Sequence, residues 1–426
     1  MNQRISALIV SALLLSTSIA RGDDWPQWRG PNRTDISPAT GLLKEWPEGG
    51  PELLWTFRDA GQGYSSFAVV DGKLYTMGGR DETEYLICLD EKTGKEIWST
   101  EVGPFLENAW GGGPRSTPTV DGDYVYTLSG QGHLACLNKN TGETKWNVDV
   151  KSLGGIVPKW GYSESVLVDG DKVLCSPGAE DATVVAFNKM NGEVIWKAAV
   201  TAELEKDGEI EEKPANVHYS SIMPAIINGE LQYVQLTQNT LFGLKASDGK
   251  VLWQEPWPPG RVAVIPTPLI KDNYVFITSA YGAGCKLVKV NKDYSTEEVY
   301  FHTRMKNHHG GLVLLGDTIY GHSDAGWVAM DFMTGEDLWR ERGLKKGSVT
   351  YADGMLYCVE EPVNGRVALV EATREEYREH GTFKLPELSE FRSSRGGLIW
   401  AHPVVINGKL FLRDQDLIFC YDVSAK

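Results

Sequence analysis

The chain is short of positive charge. Its 42 Lys and Arg stand against 57 Asp and Glu, a net charge of −15 over 426 residues. That is the wrong sign for neutralising nucleic-acid phosphates or docking on anionic lipid, so neither partner is expected. Long apolar runs are scarce as well. The one at the start, Ile5 to Leu15, follows Arg4 and leads to the small residues of Ser18-Ile19-Ala20. It falls short of the roughly 20 residues of a membrane-spanning helix and has the layout of a secretory signal peptide over residues 1–20. A periplasmic or secreted protein without a transmembrane segment is expected. No cysteine stands at the cleavage point, so no N-terminal lipid is expected. With 14 Trp, 17 Tyr and 42% hydrophobic residues, the chain is too apolar for disorder.

What is abundant is repetition. Eight turn dipeptides punctuate the chain: Asp71-Gly72, Asp121-Gly122, Asp169-Gly170, Asn228-Gly229, Asp272-Asn273, Gly316-Asp317, Asp353-Gly354 and Asn407-Gly408. Each separates two short apolar stretches, which is the pattern of a tight β-hairpin. A third strand follows, such as Tyr85 to Asp90, then a turn at Lys92-Thr93-Gly94-Lys95 and a fourth strand with Trp98. The turn and tryptophan recur at Gly142/Trp146, Gly192/Trp196, Gly249/Trp253 and Gly335/Trp339. Four strands at a period of about 48 residues define the blade of a β-propeller. The eighth unit stops after its third strand, Leu417 to Asp422, while Glu52 to Phe57 is an orphan strand of fourth-strand character. An all-β, eight-bladed propeller of four-stranded antiparallel blades is predicted, with that N-terminal strand completing the last blade. The domain plan is a signal peptide (1–20), an N-terminal arm (21–51) and one propeller (52–426).

The segment Leu89-Asp90-Glu91-Lys92-Thr93-Gly94-Lys95-Glu96-Ile97-Trp98 and its echoes resemble the tryptophan-docking repeat of PQQ-like propellers. The likeness runs over residues 52–426 and fades at Asn291 to Phe301 and Glu371 to Phe383, where the turn Gly and Trp are missing. Trp25-Pro26-Gln27-Trp28-Arg29-Gly30-Pro31 resembles the mature N-terminus of exported PQQ-like propellers of planctomycete type. The family holds quinoprotein dehydrogenases and non-catalytic scaffolds related to the outer-membrane assembly propeller. Two functions are therefore open: a binding scaffold for a small molecule or protein, or a quinoprotein oxidoreductase acting on alcohols or sugars with PQQ and calcium. The second lacks two family marks, an adjacent cysteine pair and a haem-attaching Cys-x-x-Cys-His. The six cysteines are dispersed, and Cys88, Cys136 and Cys420 recur at one third-strand position. Buried free thiols are expected, because equivalent positions on neighbouring blades stand too far apart for a disulfide.

Loops entering the first strand of each blade meet at the channel mouth, where propellers bind. They carry Tyr64, Arg115, Trp160 with Tyr162, His218, Arg261, His308 with His309, Lys346, and Trp400 with His402. Cations and tryptophans together suggest a pocket for an anionic or planar ligand. In an extended segment His308 and His309 would point to opposite faces, which disfavours a transition-metal site. Glu164 and Asp181 are the candidate calcium ligands or base of the quinoprotein reading. The acidic stretch Glu203 to Lys213 is expected to be a solvated excursion, and the arm to pack on the propeller with Arg29 near an indole. A monomer is expected.

Overall fold

The structure is a computed structural model describing residues 24–206, 209–217, 219–257, 262–324, 326–362, 365–392 and 396–425. Eight blades of four antiparallel strands make up the ring, and a short fifth strand from the N-terminal side joins the seventh. Blade one shows the plan: Ala68–Val70, Lys73–Arg80, Thr83–Asp90 and Glu96–Pro104, each strand paired with the one before it. Its first hairpin turns on Asp71 and Gly72 with φ of 51° and 72°. Two positive φ values in a row give the turn whose twist matches the flanking strands, and Asp-Gly adopts it readily. The first strands of blades two to eight begin at Thr119, Leu167, Met223, Leu269, Leu312, Gly347 and Val404. Blade eight takes its fourth strand from the N-terminal side: Glu52–Phe57 lies antiparallel to Leu417–Asp422. No helix among the described residues is long and apolar enough to cross a membrane.

Both faces of each blade are covered, so the core is divided among the gaps between blades. The gap between blades one and two is filled by Tyr75, Met77, Leu86 and Cys88 against Val120, Val125, Ala135 and Leu137. All six cysteines are free and buried within these gaps. None is expected to react with an alkylating reagent until the chain is unfolded. A modified thiol in the native protein, read by mass spectrometry, contradicts this packing.

Five of the gaps are tied at the rim by an aromatic side chain of one fourth strand lying on the turn glycine of the next blade. A methyl group on Gly142 would stand 2.7 Å from the Trp98 ring; on Gly192 it would meet Trp146 at 2.9 Å, and on Gly249 it would meet Trp196 at 2.5 Å. Where blade five lacks the tryptophan, Tyr300 takes its place and donates its hydroxyl to the Phe332 carbonyl at 2.8 Å. The closing strand makes the same contact, since Trp55 lies over Gly94 and its Nε1 donates to the Glu91 carbonyl at 3.1 Å.

Residues 24–37 run inside the channel. Trp25 exchanges two backbone hydrogen bonds with Val69 of blade one, 2.8 and 2.7 Å, and the Pro26 carbonyl accepts from Val120 of blade two at 2.7 Å. Arg33 donates to Ser165 of blade three at 2.7 Å, and Arg29 to the Leu312 carbonyl of blade six. Ile36–Ser37 pairs in parallel with Tyr351–Ala352 of blade seven. Arg29 does not rest on an indole as expected. Its Nε donates to Asp35 at 2.7 Å, and the pair is buried. The reason is geometric: first strands leave backbone groups open toward the axis, and a chain threaded there satisfies them. The acidic stretch forms a hairpin of Thr201–Lys206 with Glu209–Pro214, and its second strand is exposed throughout, as a solvated excursion should be.

Replacing Gly142 by Ala is expected to destabilise the ring by about 2 kcal/mol or more. The new methyl overlaps Trp98 and the residue sits at φ 74°, a left-handed conformation that costs an L-residue roughly 1–2 kcal/mol by itself. A urea midpoint equal to that of the parent contradicts the docking account.

Candidate ligand-binding site

The channel end reached by loops entering the first strands, and by loops joining second to third strands, holds a cavity of about 400 Å³. Trp28 and Arg29 of the threaded arm contribute to its lining, so the channel is a blind cup there. Trp160, Tyr219, Val262, Ile265 and Pro266 form an apolar side. Opposite them runs a stack of rings. The Arg115 guanidinium lies 4.8 Å from the Tyr64 centroid. Tyr64 stacks on Trp400 at 4.4 Å, Trp400 on His309 at 4.4 Å, and His309 packs against His308 at 3.6 Å. Tyr281 meets His308 edge-on at 4.8 Å.

Arg115 is a brace more than a donor to ligand. Its Nε donates to the Trp160 carbonyl at 2.6 Å and its Nη2 to the Gly111 carbonyl at 2.9 Å, tying two entry loops together. Trp400, stacked on both Tyr64 and His309, is likewise part of the wall. The polar corner centres on Lys346, whose Nζ lies 2.5 Å from His308 Nδ1, 3.3 Å from His309 Nδ1 and 2.9 Å from Glu361 Oε2. Burial, with Lys346 and the neighbouring ring adding to it, holds His308 far below the usual imidazole range. Burial likewise lowers His309 to about 4. Burial alone would raise the Glu361 carboxyl, but the adjoining His309 and Lys346 carry it below its ordinary value.

The cup thus gathers Tyr64, Arg115, Trp160, His308, His309, Lys346, Trp400 and His402 from the sequence-derived set. His308 and His309 do not point to opposite faces. They lie in an irregular entry segment ending in a bend, where strand alternation does not operate. His402 is buried, with Nδ1 3.2 Å from Asp35 and Nε2 2.9 Å from the His309 carbonyl, so it links the arm to the wall. Tyr162 turns into the core between blades two and three, its hydroxyl donating to the Pro177 carbonyl at 2.9 Å. Glu164 is buried and accepts from the Ser176 hydroxyl at 2.9 Å, with burial raising its carboxyl to about 7. Asp181 is exposed beside Lys197. Neither carboxylate joins a cluster of three or more potential metal ligands among the described residues. His218 and Arg261 lie outside the described residues.

Sequence reasoning missed Trp28, Arg29, Trp110, Tyr219, Tyr281 and Glu361 in the cup's lining. Glu361 was within reach, because loops joining second to third strands open on the same end of a blade as the entry loops, and Glu360-Glu361-Pro362 ends such a strand.

An eight-bladed propeller with an axial cup defines the class. The profile of the family described as outer membrane protein assembly factor BamB matches residues 82–341, and the chain belongs to that family. No curated protein matches the chain in sequence. Among solved structures, BamB from Moraxella catarrhalis is 15% identical with a TM-score of 0.60, covering 87% of this chain and 99% of that one. A europium-containing methanol dehydrogenase is 10% identical with a TM-score of 0.68, covering 92% and 89%. The quinohemoprotein alcohol dehydrogenase ADHIIG from Pseudomonas putida HK5 is 12% identical with a TM-score of 0.62, covering 95% and 81%. At these identities the likeness is one of fold, shared by an assembly factor and by dehydrogenases.

The corner makes the fold acid-sensitive. His309 is neutral when folded because its pKa falls from 6.5 to about 4, so the unfolded chain binds more protons between those values. Stability is fully present above about 6.5 and is lost as pH falls toward 4. Across this window the slope of melting temperature against pH should therefore be more positive in the parent than in His309→Gln. Parallel slopes in the two proteins contradict the assignment.

Proposed function

We propose that the chain is an exported binding propeller whose arm-sealed cup holds a small ligand with a flat apolar body and an oxygen-bearing end. One observation carries this reading: the arm turns an open channel into a blind pocket with an aromatic lining and one polar corner. A solvated channel has no need of a floor, whereas a pocket of a few hundred Å³ with few polar groups is the ordinary form of a small-ligand site. Export rests on the signal-like segment at residues 1–20, and membership of the assembly-factor family supports a scaffold role in which the cup or the rim meets a partner.

The fold's other branch raises calcium with PQQ. Calcium takes roughly six to eight oxygen ligands, several of them carboxylates. Among the described residues lining the cup, Glu361 is the one carboxylate, and it bonds to Lys346. The residues present do not fit a calcium–quinone centre.

A tryptophan-fluorescence and thermal-shift screen of flat aromatic acids against the exported protein should yield ligands. One present at a hundredfold excess over its Kd should stabilise the fold by about 2.7 kcal/mol. Ser163 lines the cup, so Ser163→Trp should fill it and abolish binding while the protein still melts cooperatively. A screen without ligands, or binding undiminished in Ser163→Trp, overturns the pocket reading.

A further inference from the structure

A lysine ammonium has three N–H donors and no acceptor, whereas a neutral imidazole has one N–H and one lone pair. Lys346 can therefore only donate, and its three nearest partners are His308 Nδ1 at 2.5 Å, Glu361 Oε2 at 2.9 Å and His309 Nδ1 at 3.3 Å. At His308 this fixes the tautomer. Nδ1 must present its lone pair to the ammonium, so the ring proton sits on Nε2. An imidazolium there would set an N–H against an N–H. For His309 the choice is not forced in this way, because its Nδ1 also lies 3.5 Å from Glu361 Oε2.

From this geometry, and resting on the pocket reading above, we propose that Lys346 locks His308 as the Nε2–H tautomer, a neutral donor that selects an oxygen acceptor, a carboxylate or conjugated carbonyl, on the ligand of the cup. His308 lines the cavity. With its Nδ1 edge taken by Lys346, the Nε2 edge is the one left for a ligand. Two features favour acceptor over donor groups at this corner. The ammonium stands directly behind the ring and polarises its N–H toward the ligand, as hydrogen bonds in a chain reinforce one another. Arg115, on the same wall, gives its hydrogen bonds to the Trp160 and Gly111 carbonyls and leaves Nη1 without a partner among the described residues, so its charge is not neutralised by a hydrogen-bonded carboxylate. The burial that depresses the His308 pKa agrees with a ring that stays neutral. The same tautomer removes the Nε2 lone pair, so His308 cannot ligate a metal from the cup while Lys346 is in place.

The test has two arms. In protein labelled with nitrogen-15 histidine, long-range proton–nitrogen spectra at neutral pH should show His308 as Nε2–H. The assignment should survive in Lys346→Arg, which still only donates, and give way to a tautomer mixture in Lys346→Met. In the second arm, 2-naphthoate and 2-naphthaldehyde are compared with 2-naphthylmethylamine, probes with one flat body and different ends. The acid and aldehyde should bind about tenfold more tightly than the amine, about 1.4 kcal/mol, and His308→Phe should erase that preference. An Nδ1–H signal for His308 in the parent protein overturns the inference whatever binds. Binding of the probes without preference, or with preference for the amine, overturns it while leaving the pocket reading intact. Failure of all three to bind removes the pocket reading, and the ligand selection falls with it.

Discussion

The contact of a fourth-strand aromatic ring with the turn glycine of the next blade is the constraint on which the architecture depends. It explains why the turn residue has no side chain: methyl groups at Gly94, Gly142 and Gly249 would stand 2.5, 2.7 and 2.5 Å from the rings of Trp55, Trp98 and Trp196. The indole supplies both apolar area and a polar handle. Trp146 donates to the Lys189 carbonyl at 3.0 Å and Trp339 to the Thr373 carbonyl at 2.8 Å, each in the following blade. A contact that joins neighbours around a ring must also join last to first. Trp55 meets that requirement from the N-terminal side, and so the chain ahead of blade one is committed to structure.

That commitment places the arm at the axis. Eight blades leave a channel wide enough for a chain to enter, and the arm enters it with two buried arginines. Burial lowers the Arg33 guanidinium to about 9, with Glu164 opposing the shift. Backbone carbonyls of Ser165 and Val166, at 2.7 and 3.2 Å, offset part of the desolvation. Arg29, Asp35 and His402 form a second buried polar chain between arm and wall. The cup therefore has a floor because the ring is closed by the same N-terminal stretch. Closure and site are one consequence of chain order.

The periodic part of this arrangement was legible in the sequence. Asp-Gly and Asn-Gly pairs announced the hairpins because such pairs readily adopt positive φ, at both residues in four of the turns and at the glycine alone in Asp121-Gly122 and Asp169-Gly170, and the incomplete last unit announced the closing strand. The aperiodic part was not. Arg33 and Arg29 bond to backbone carbonyls, which no side-chain pattern encodes. Arg115 looked like a ligand donor, yet its N–H groups serve the Trp160 and Gly111 carbonyls. His308 and His309 were judged by strand alternation, a rule that stops where the strand does. Glu361 was legible only through the strand ending that places it at the cup's end, since its neighbour Glu360 faces elsewhere and accepts from the Lys345 N–H at 2.7 Å.

Within a fold shared by assembly factors and dehydrogenases, side chains at the axis decide what the cup can do. Here two imidazole nitrogens and a carboxylate converge on a lysine ammonium, a set of acceptors that elsewhere would suit a metal ion. The lysine supplies a fixed positive charge through the polypeptide itself and brings its own counter-ion in Glu361. It cannot accept an electron pair or vary its coordination, so what it contributes is orientation: it determines which ring edge carries a proton and which groups remain engaged with each other. On the proposal above, this corner recognises an acceptor through a neutral donor of fixed tautomer, set in an aromatic wall beside a lysine that also lines the cup.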